Sequence, residues 1–67
     1  MLRSGGREVT GQEAERIVQN GGSVQVGNAT VEGSNVSWHH NIRLADGTLR
    51  DGGNAADSLR IASQNSR

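Results

Sequence analysis

The chain has no cysteine, no lysine, no phenylalanine and no tyrosine, and Trp38 is its one aromatic ring. Each absence excludes something. Without cysteine there is no disulfide, no thiolate nucleophile and no thiolate ligand for a metal. Lacking lysine and tyrosine as well, the chain has few groups suited to nucleophilic or acid catalysis. One ring gives no series of platforms on which the bases of a single strand could stack. No apolar run approaches membrane-spanning length, and no hydrophobic stretch follows Met1-Leu2-Arg3-Ser4-Gly5-Gly6 as it would in a signal peptide. The expectation is a soluble, cytoplasmic chain.

Charge of one sign is missing too. Seven Arg stand against seven Asp and Glu, and the two halves, divided at Ser34, carry about −1 and +1. Such a balance disfavours bulk electrostatic attraction to nucleic acid or anionic lipid. Every cation is instead a planar guanidinium fork suited to carboxylate or phosphate.

What remains is 67 residues, room for one small domain. Twenty-one residues are apolar and six of these are Ala, so the core is thin. Domains this small often need a disulfide, a metal or a partner chain. The first is excluded. A zinc site would have to come from His39, His40 and carboxylates, and the two histidines point to opposite faces if they lie on a strand, so no metal or other cofactor is expected. A partner chain is the remaining route, and homo-oligomerisation is expected on that ground.

The clearest pattern is Val36-Ser37-Trp38-His39-His40-Asn41-Ile42-Arg43-Leu44-Ala45, where apolar and polar residues alternate. A period of two predicts a long strand with one buried face. Three turn signals surround it. Gly27-Asn28 suits a two-residue hairpin opposing Val24 to Val31 and Val26 to Ala29. Ser34-Asn35 would oppose Val31 to Trp38, and Asp46-Gly47 would oppose Leu44 to Leu49. These registers put Val24, Val26, Ala29, Val31, Val36, Trp38, Ile42, Leu44 and Leu49 on one face. A one-residue slip would break the agreement, and a three-residue Ala45-Asp46-Gly47 loop would set Leu49 against Arg43. The long strand would then be paired in halves, leaving two half-open edges that could recruit another strand.

Thr10 followed by Glu13 is a capping-box pattern, and Ala14, Ile17 and Val18 form a helical stripe ended by Gly21-Gly22. This predicts a helix over 11–20. Asn54 with Asp57, and the stripe Ala55, Leu59 and Ala62, favour a second helix over a short strand near the C-terminus. Residues 1–8 read as a flexible lead-in to a single domain over 9–67. The fold expected is α+β: an N-terminal helix packed on a three- to four-stranded antiparallel meander, with a short C-terminal helix.

Candidate chemistry gathers around the long strand. His40 falls on the apolar face, where it reads as a core-edge imidazole hydrogen-bonded to backbone. His39, Asn41 and Arg43 fall on the wet face. Arg50 would oppose Arg43 there, and two like charges across a ladder need Asp46, Asp51 or an external anion. A Ser37, His39 and Asp51 set can be assembled on paper, but a sheet this small offers little exclusion of water.

The order helix, three or four strands, helix is similar to double-stranded-RNA-binding domains. That resemblance implies a lysine cluster at the start of the last helix, where this chain has Asn54-Ala55-Ala56-Asp57. Residues 39–67, with His39-His40, a Gly-rich turn and Asp57-Ser58-Leu59-Arg60-Ile61-Ala62-Ser63-Gln64-Asn65-Ser66, resemble the tail of an HNH nuclease. There the resemblance implies metal ligands that Ser63 and Ser66 do not supply and a final His that is missing.

The function expected is a small non-catalytic protein-binding module, an accessory or inhibitory protein of a phage or mobile element acting by occluding a larger partner. His39, Asn41, Arg43 and Arg50 are its expected contact residues, and the partner is expected to bring acidic groups. Duplex nucleic-acid binding or regulation through the Arg side chains is the alternative.

Overall fold

A computed structural model describes residues 2–34 and 40–65. It is α+β, with six antiparallel strands and two helices. The strands are β1 (Leu2–Ser4), β2 (Arg7–Glu8), β3 (Ser23–Val26), β4 (Ala29–Glu32), β5 (Asn41–Arg43) and β6 (Leu49–Asp51). The helices are α1 (Gly11–Gln19), between β2 and β3, and α2 (Ala55–Asn65), after β6. The sheet order is β2-β1-β3-β4-β5-β6. The expected meander is present as β3 to β6, and a hairpin is added beside it.

That hairpin corrects the reading of residues 1–8 as a flexible lead-in. Gly5 and Gly6 both adopt positive φ, 61° and 82°, as a two-residue turn matched to strand twist requires. The turn pairs Ser4 with Arg7 and Arg3 with Glu8. β1 then joins β3 through Leu2 and Val26. The Val9 N–H donates to the Leu2 carbonyl at 2.9 Å, so Val9 enters the core as the chain turns into α1.

α1 starts as its sequence predicts. The Thr10 hydroxyl accepts from the Glu13 N–H at 3.2 Å, and the Glu13 carboxylate accepts from the Thr10 N–H at 3.1 Å. Such a cap is worth about 0.5–2 kcal/mol. Ala14 and Val18 are buried, and Gly21, at φ 88°, takes the left-handed turn after the helix. In α2 the Asn54 side chain accepts from the Asp57 N–H at 2.8 Å. Ala55, Leu59 and Ala62 are buried along the expected stripe, joined by Ser58. The Ser58 hydroxyl donates to the Asn54 carbonyl at 2.8 Å.

Both helices lie on one face of the sheet. Val24, Val26, Ala29, Val31 and Ile42 point into them and form the core with Val9, Ala14, Val18, Ala55, Leu59 and Ala62. The β3–β4 hairpin has the expected register, Val24 opposite Val31 and Val26 opposite Ala29. The next two turns differ. Val31 faces Ile42 rather than residue 38, and β4 and β5 are joined through residues 33–40; Asn35, of the expected Ser34-Asn35 turn, lies outside the described residues. The shift is four residues. An even shift keeps every side chain on its face, so the facing pattern could not have revealed it. Val36, Trp38 and His39, expected in the long strand, lie outside the described residues.

At the third turn the slip is by one. Arg43 faces Leu49 and Ile42 faces Arg50. The Leu44 N–H donates to the Thr48 carbonyl at 2.9 Å, which encloses a three-residue Ala45-Asp46-Gly47 loop with Gly47 at φ 88°. That is a turn closed by a left-handed glycine. The Asp46 carboxylate accepts from the Thr48 N–H at 2.9 Å. Thr48 bonding, side chain first and then backbone, holds the Asp46 carboxyl below the usual carboxylate range. The slip puts Leu49 on the helix-free face, 65% exposed.

The half-open edges expected along one long strand are corrected as well. β5 is paired over the same three residues on both sides, with β4 and with β6. Among the described residues the outer strands of the sheet are β2 and β6.

Candidate functional site: the helix-free face of the sheet

Alternation along each strand sends the residues between the core positions to the face that no helix among the described residues covers. One row across the sheet is Glu8, Arg3, Gln25, Thr30, Arg43 and Leu49. The next is Ser23, Glu32, Asn41 and Asp51. All are exposed except Thr30, which is half-buried. The face is a shallow polar platform with one large apolar side chain, Leu49, at its border.

Two of the four expected contact residues meet here. Asn41 lies between Glu32 and Asp51, and Arg43 between Thr30 and Leu49. An Arg43 guanidinium nitrogen is 3.6 Å from a Glu32 carboxylate oxygen, with both side chains half-exposed or more. In that setting the pair contributes about 0–1 kcal/mol and can exchange partners readily. Arg50 is not part of the platform. The one-residue slip turns it to the helix side of β6, opposite Ile42, so it cannot form a like-charged pair with Arg43. His39 lies outside the described residues, as does Ser37 of the paper triad. One Asp51 carboxylate oxygen accepts from the Gly53 N–H at 3.2 Å.

His40 is 3% exposed, on the helix side. Its Nδ1 accepts from the Ser34 N–H at 3.0 Å. A backbone N–H can only donate, so this Nδ1 carries no proton. The imidazole ties the two ends of the segment between β4 and β5, as expected of a core-edge histidine bonded to backbone.

Glu32, Arg3, Gln25 and Leu49 also belong to this face, beyond the residues expected there. Glu32 was legible from the β3–β4 register. Arg3 required the Gly5-Gly6 turn to be read as a hairpin, and Leu49 required the longer turn at Gly47.

A second feature is a groove of about 320 Å³ between α1 and α2, above β1 and β3. Leu2, Val26, Ala56 and Leu59 line it, with Glu15 and Arg60 among its polar residues. Arg60 already pairs with Asp57 at 3.3 Å. Among the described residues no three His, Asp or Glu side chains gather as a metal site would require, and no helix is long and apolar enough to cross a membrane. Comparison with protein-family models, with curated proteins and with solved structures finds no match.

Proposed function

We propose that the chain is a small non-catalytic protein-binding module that presents the helix-free face of its sheet to a partner. The observation that supports this best is the make-up of that face. It mixes Arg3 and Arg43 with Glu8, Glu32 and Asp51, and it sets Leu49 beside Arg43. Mixed charge around one apolar side chain suits a protein surface. A duplex contact would call for an excess of cations along the backbone path, and among the described residues this face has more acids than bases. Arg43 is the expected centre. Its present partner, Glu32, is exposed and weakly held, so an acidic group of a partner can replace it. Binding then acts by occlusion: the platform covers a surface of the larger partner.

The test is affinity capture followed by measurement with the purified partner. Arg43→Glu should leave unfolding nearly unchanged and weaken binding at least about 10-fold, as an interface arginine does. Unchanged affinity would remove this face as the site. Binding to duplex DNA or RNA that falls steeply with salt would favour the nucleic-acid reading instead.

A further inference from the structure

We propose that β6 is a docking edge for an extended segment of another protein, added antiparallel with an acidic residue opposite Arg50 and an apolar residue opposite Leu49. The inference rests on the protein-binding reading above and specifies the kind of partner.

Among the described residues β6 is the last strand of the sheet, and all three of its residues are exposed. Its hydrogen bonds to β5 fix which backbone groups point away. The Leu44 N–H reaches the Thr48 carbonyl and the Gly52 N–H reaches the His40 carbonyl, each at 2.9 Å. Bonded and non-bonded pairs alternate in an antiparallel ladder, so the Leu49 N–H and carbonyl face outward. They are a donor and an acceptor ready for a further strand.

The side chains select what that strand can be. Leu49 is the large apolar residue exposed on the described surface, and it stands at this edge. On the opposite face of the same strand, Arg50 is exposed and takes part in no ion pair among the described residues, whose pairs are Arg43 with Glu32 and Arg60 with Asp57. A segment that bonds to Leu49 places its neighbouring residue directly opposite Arg50, in the closer, non-bonded kind of pair. An acidic residue there meets a free guanidinium, and the next residue covers Leu49.

The same arginine argues against a second copy of this chain as the occupant. Two β6 strands related by a two-fold axis at Arg50 would stack Arg50 on Arg50, and like charges directly opposite are unfavourable. An axis at Leu49 avoids that clash but runs each strand into the other's turn at Gly47. Arg50 therefore repels a like edge and admits an acidic one. The other outer strand, β2, offers only Arg7 and Glu8 and no apolar side chain.

The experiment titrates the intact chain with a labelled peptide of alternating threonine and valine carrying one central glutamate, followed by fluorescence anisotropy and by amide shifts in nitrogen-edited NMR. Saturable binding is expected, with shifts centred on Leu49 and Arg50. Replacing the glutamate by glutamine should weaken binding about 2- to 5-fold, the range of an exposed cross-strand charge pair. Arg50→Gln should erase that preference without altering the fold. N-methylation of the peptide groups that face Leu49 should abolish binding. Equal binding by the N-methylated peptide, shifts confined to the Thr30 and Arg43 region, or no binding by the unmethylated peptide would each overturn the proposal. So would Leu49 amide protection that arises from dimerisation of the chain alone. If the peptide fails while a captured protein still depends on Arg43, the edge is excluded and the protein-binding reading stands. If the peptide binds and the Arg43 dependence fails, the helix-free face is excluded as the site while the edge and the protein-binding reading stand.

Discussion

The β3–β4 hairpin and the β5–β6 hairpin were read from the same kind of signal, a two-residue turn between alternating strands, yet only the first has the register that signal implies. The difference is what each strand stands to lose. Val24, Val26, Ala29 and Val31 are all buried. A one-residue slip would expose the whole set, at roughly 1.5–3 kcal/mol for each larger side chain. Burial and turn chemistry agree there, and the register is fixed twice over. β6 carries one large apolar residue, Leu49. Its burial could supply no more than roughly 1.5–3 kcal/mol. Against it stand the left-handed Gly47, the Asp46 bond to Thr48, and Gly52, which lies buried under α2. A Cβ on Gly52 would meet the Ser58 hydroxyl and come within 2.7 Å of the Ile42 side chain. The slipped register puts the residue without a side chain where there is no room for one. Turning Leu49 inward would bring Asp51 to the helix side in place of Arg50. At the edge of a sheet, local geometry overrides a single hydrophobic residue.

The largest effect that sharpens this contrast is at Ile42, fully buried in the centre of the core. Ile42→Ala should cost about 2–5 kcal/mol in denaturant unfolding. Leu49→Ala removes a comparable side chain and should change stability by less than about 0.5 kcal/mol, as an exposed site does. Similar costs at the two positions would mean that Leu49 is part of the core and the register is misplaced.

Gly33→Ala follows, at about 1–3 kcal/mol. A Cβ there would run into the Val18 carbonyl oxygen, because the chain leaving β4 presses against the end of α1. A neutral result would show that this contact is loose.

Gly47→Ala should cost about 1–2 kcal/mol through its positive φ. It is also the substitution most able to drive β6 into the two-residue register. Amide exchange and cross-strand contacts would show whether Leu49 turns inward.

The smallest effect is in acid. Hydrogen bonds from Thr48 lower the Asp46 carboxyl, and hydrogen bonds from Thr10, with help from Arg7 and Arg16, lower that of Glu13. Both groups have folded-state values below their unfolded ones. Their stabilisation is therefore present above the ordinary carboxylate range and is lost as pH falls below about 4. Stability measured from pH 7 downward should stay level until that range and then decline. Asp46→Asn should flatten part of the decline, and an unchanged profile would show that the turn bond contributes nothing.

The first helix was legible because its full capping box is local, while the second, with Asn54 and Asp57 at its start, was only favoured over a short strand. Thr10 with Glu13 and Asn54 with Asp57 act within one turn, and no distant residue need be known. The Gly27-Asn28 hairpin was legible because four buried residues confirmed it. The β1–β2 hairpin was overlooked although Gly5-Gly6 is a turn dipeptide. Within residues 2–9 the apolar residues are Leu2 and Val9, too few to mark alternation. The four-residue shift between β4 and β5 was invisible in principle, since faces repeat every two residues. For the site, Asn41 and Arg43 were placed on the correct face by alternation alone. Arg50 was placed wrongly because its face depended on the count of residues in one turn.

The number of residues in that turn decides whether Arg43 stands beside Leu49 or beside Arg50. The direct measurement is the nuclear Overhauser effect between α-protons across β5 and β6. In a non-bonded antiparallel pair the two Cα atoms are about 4.5 Å apart and their α-protons nearly touch. A strong α-proton contact between Arg43 and Leu49 is expected. A strong contact between Leu44 and Leu49, or between Arg43 and Arg50, would contradict it.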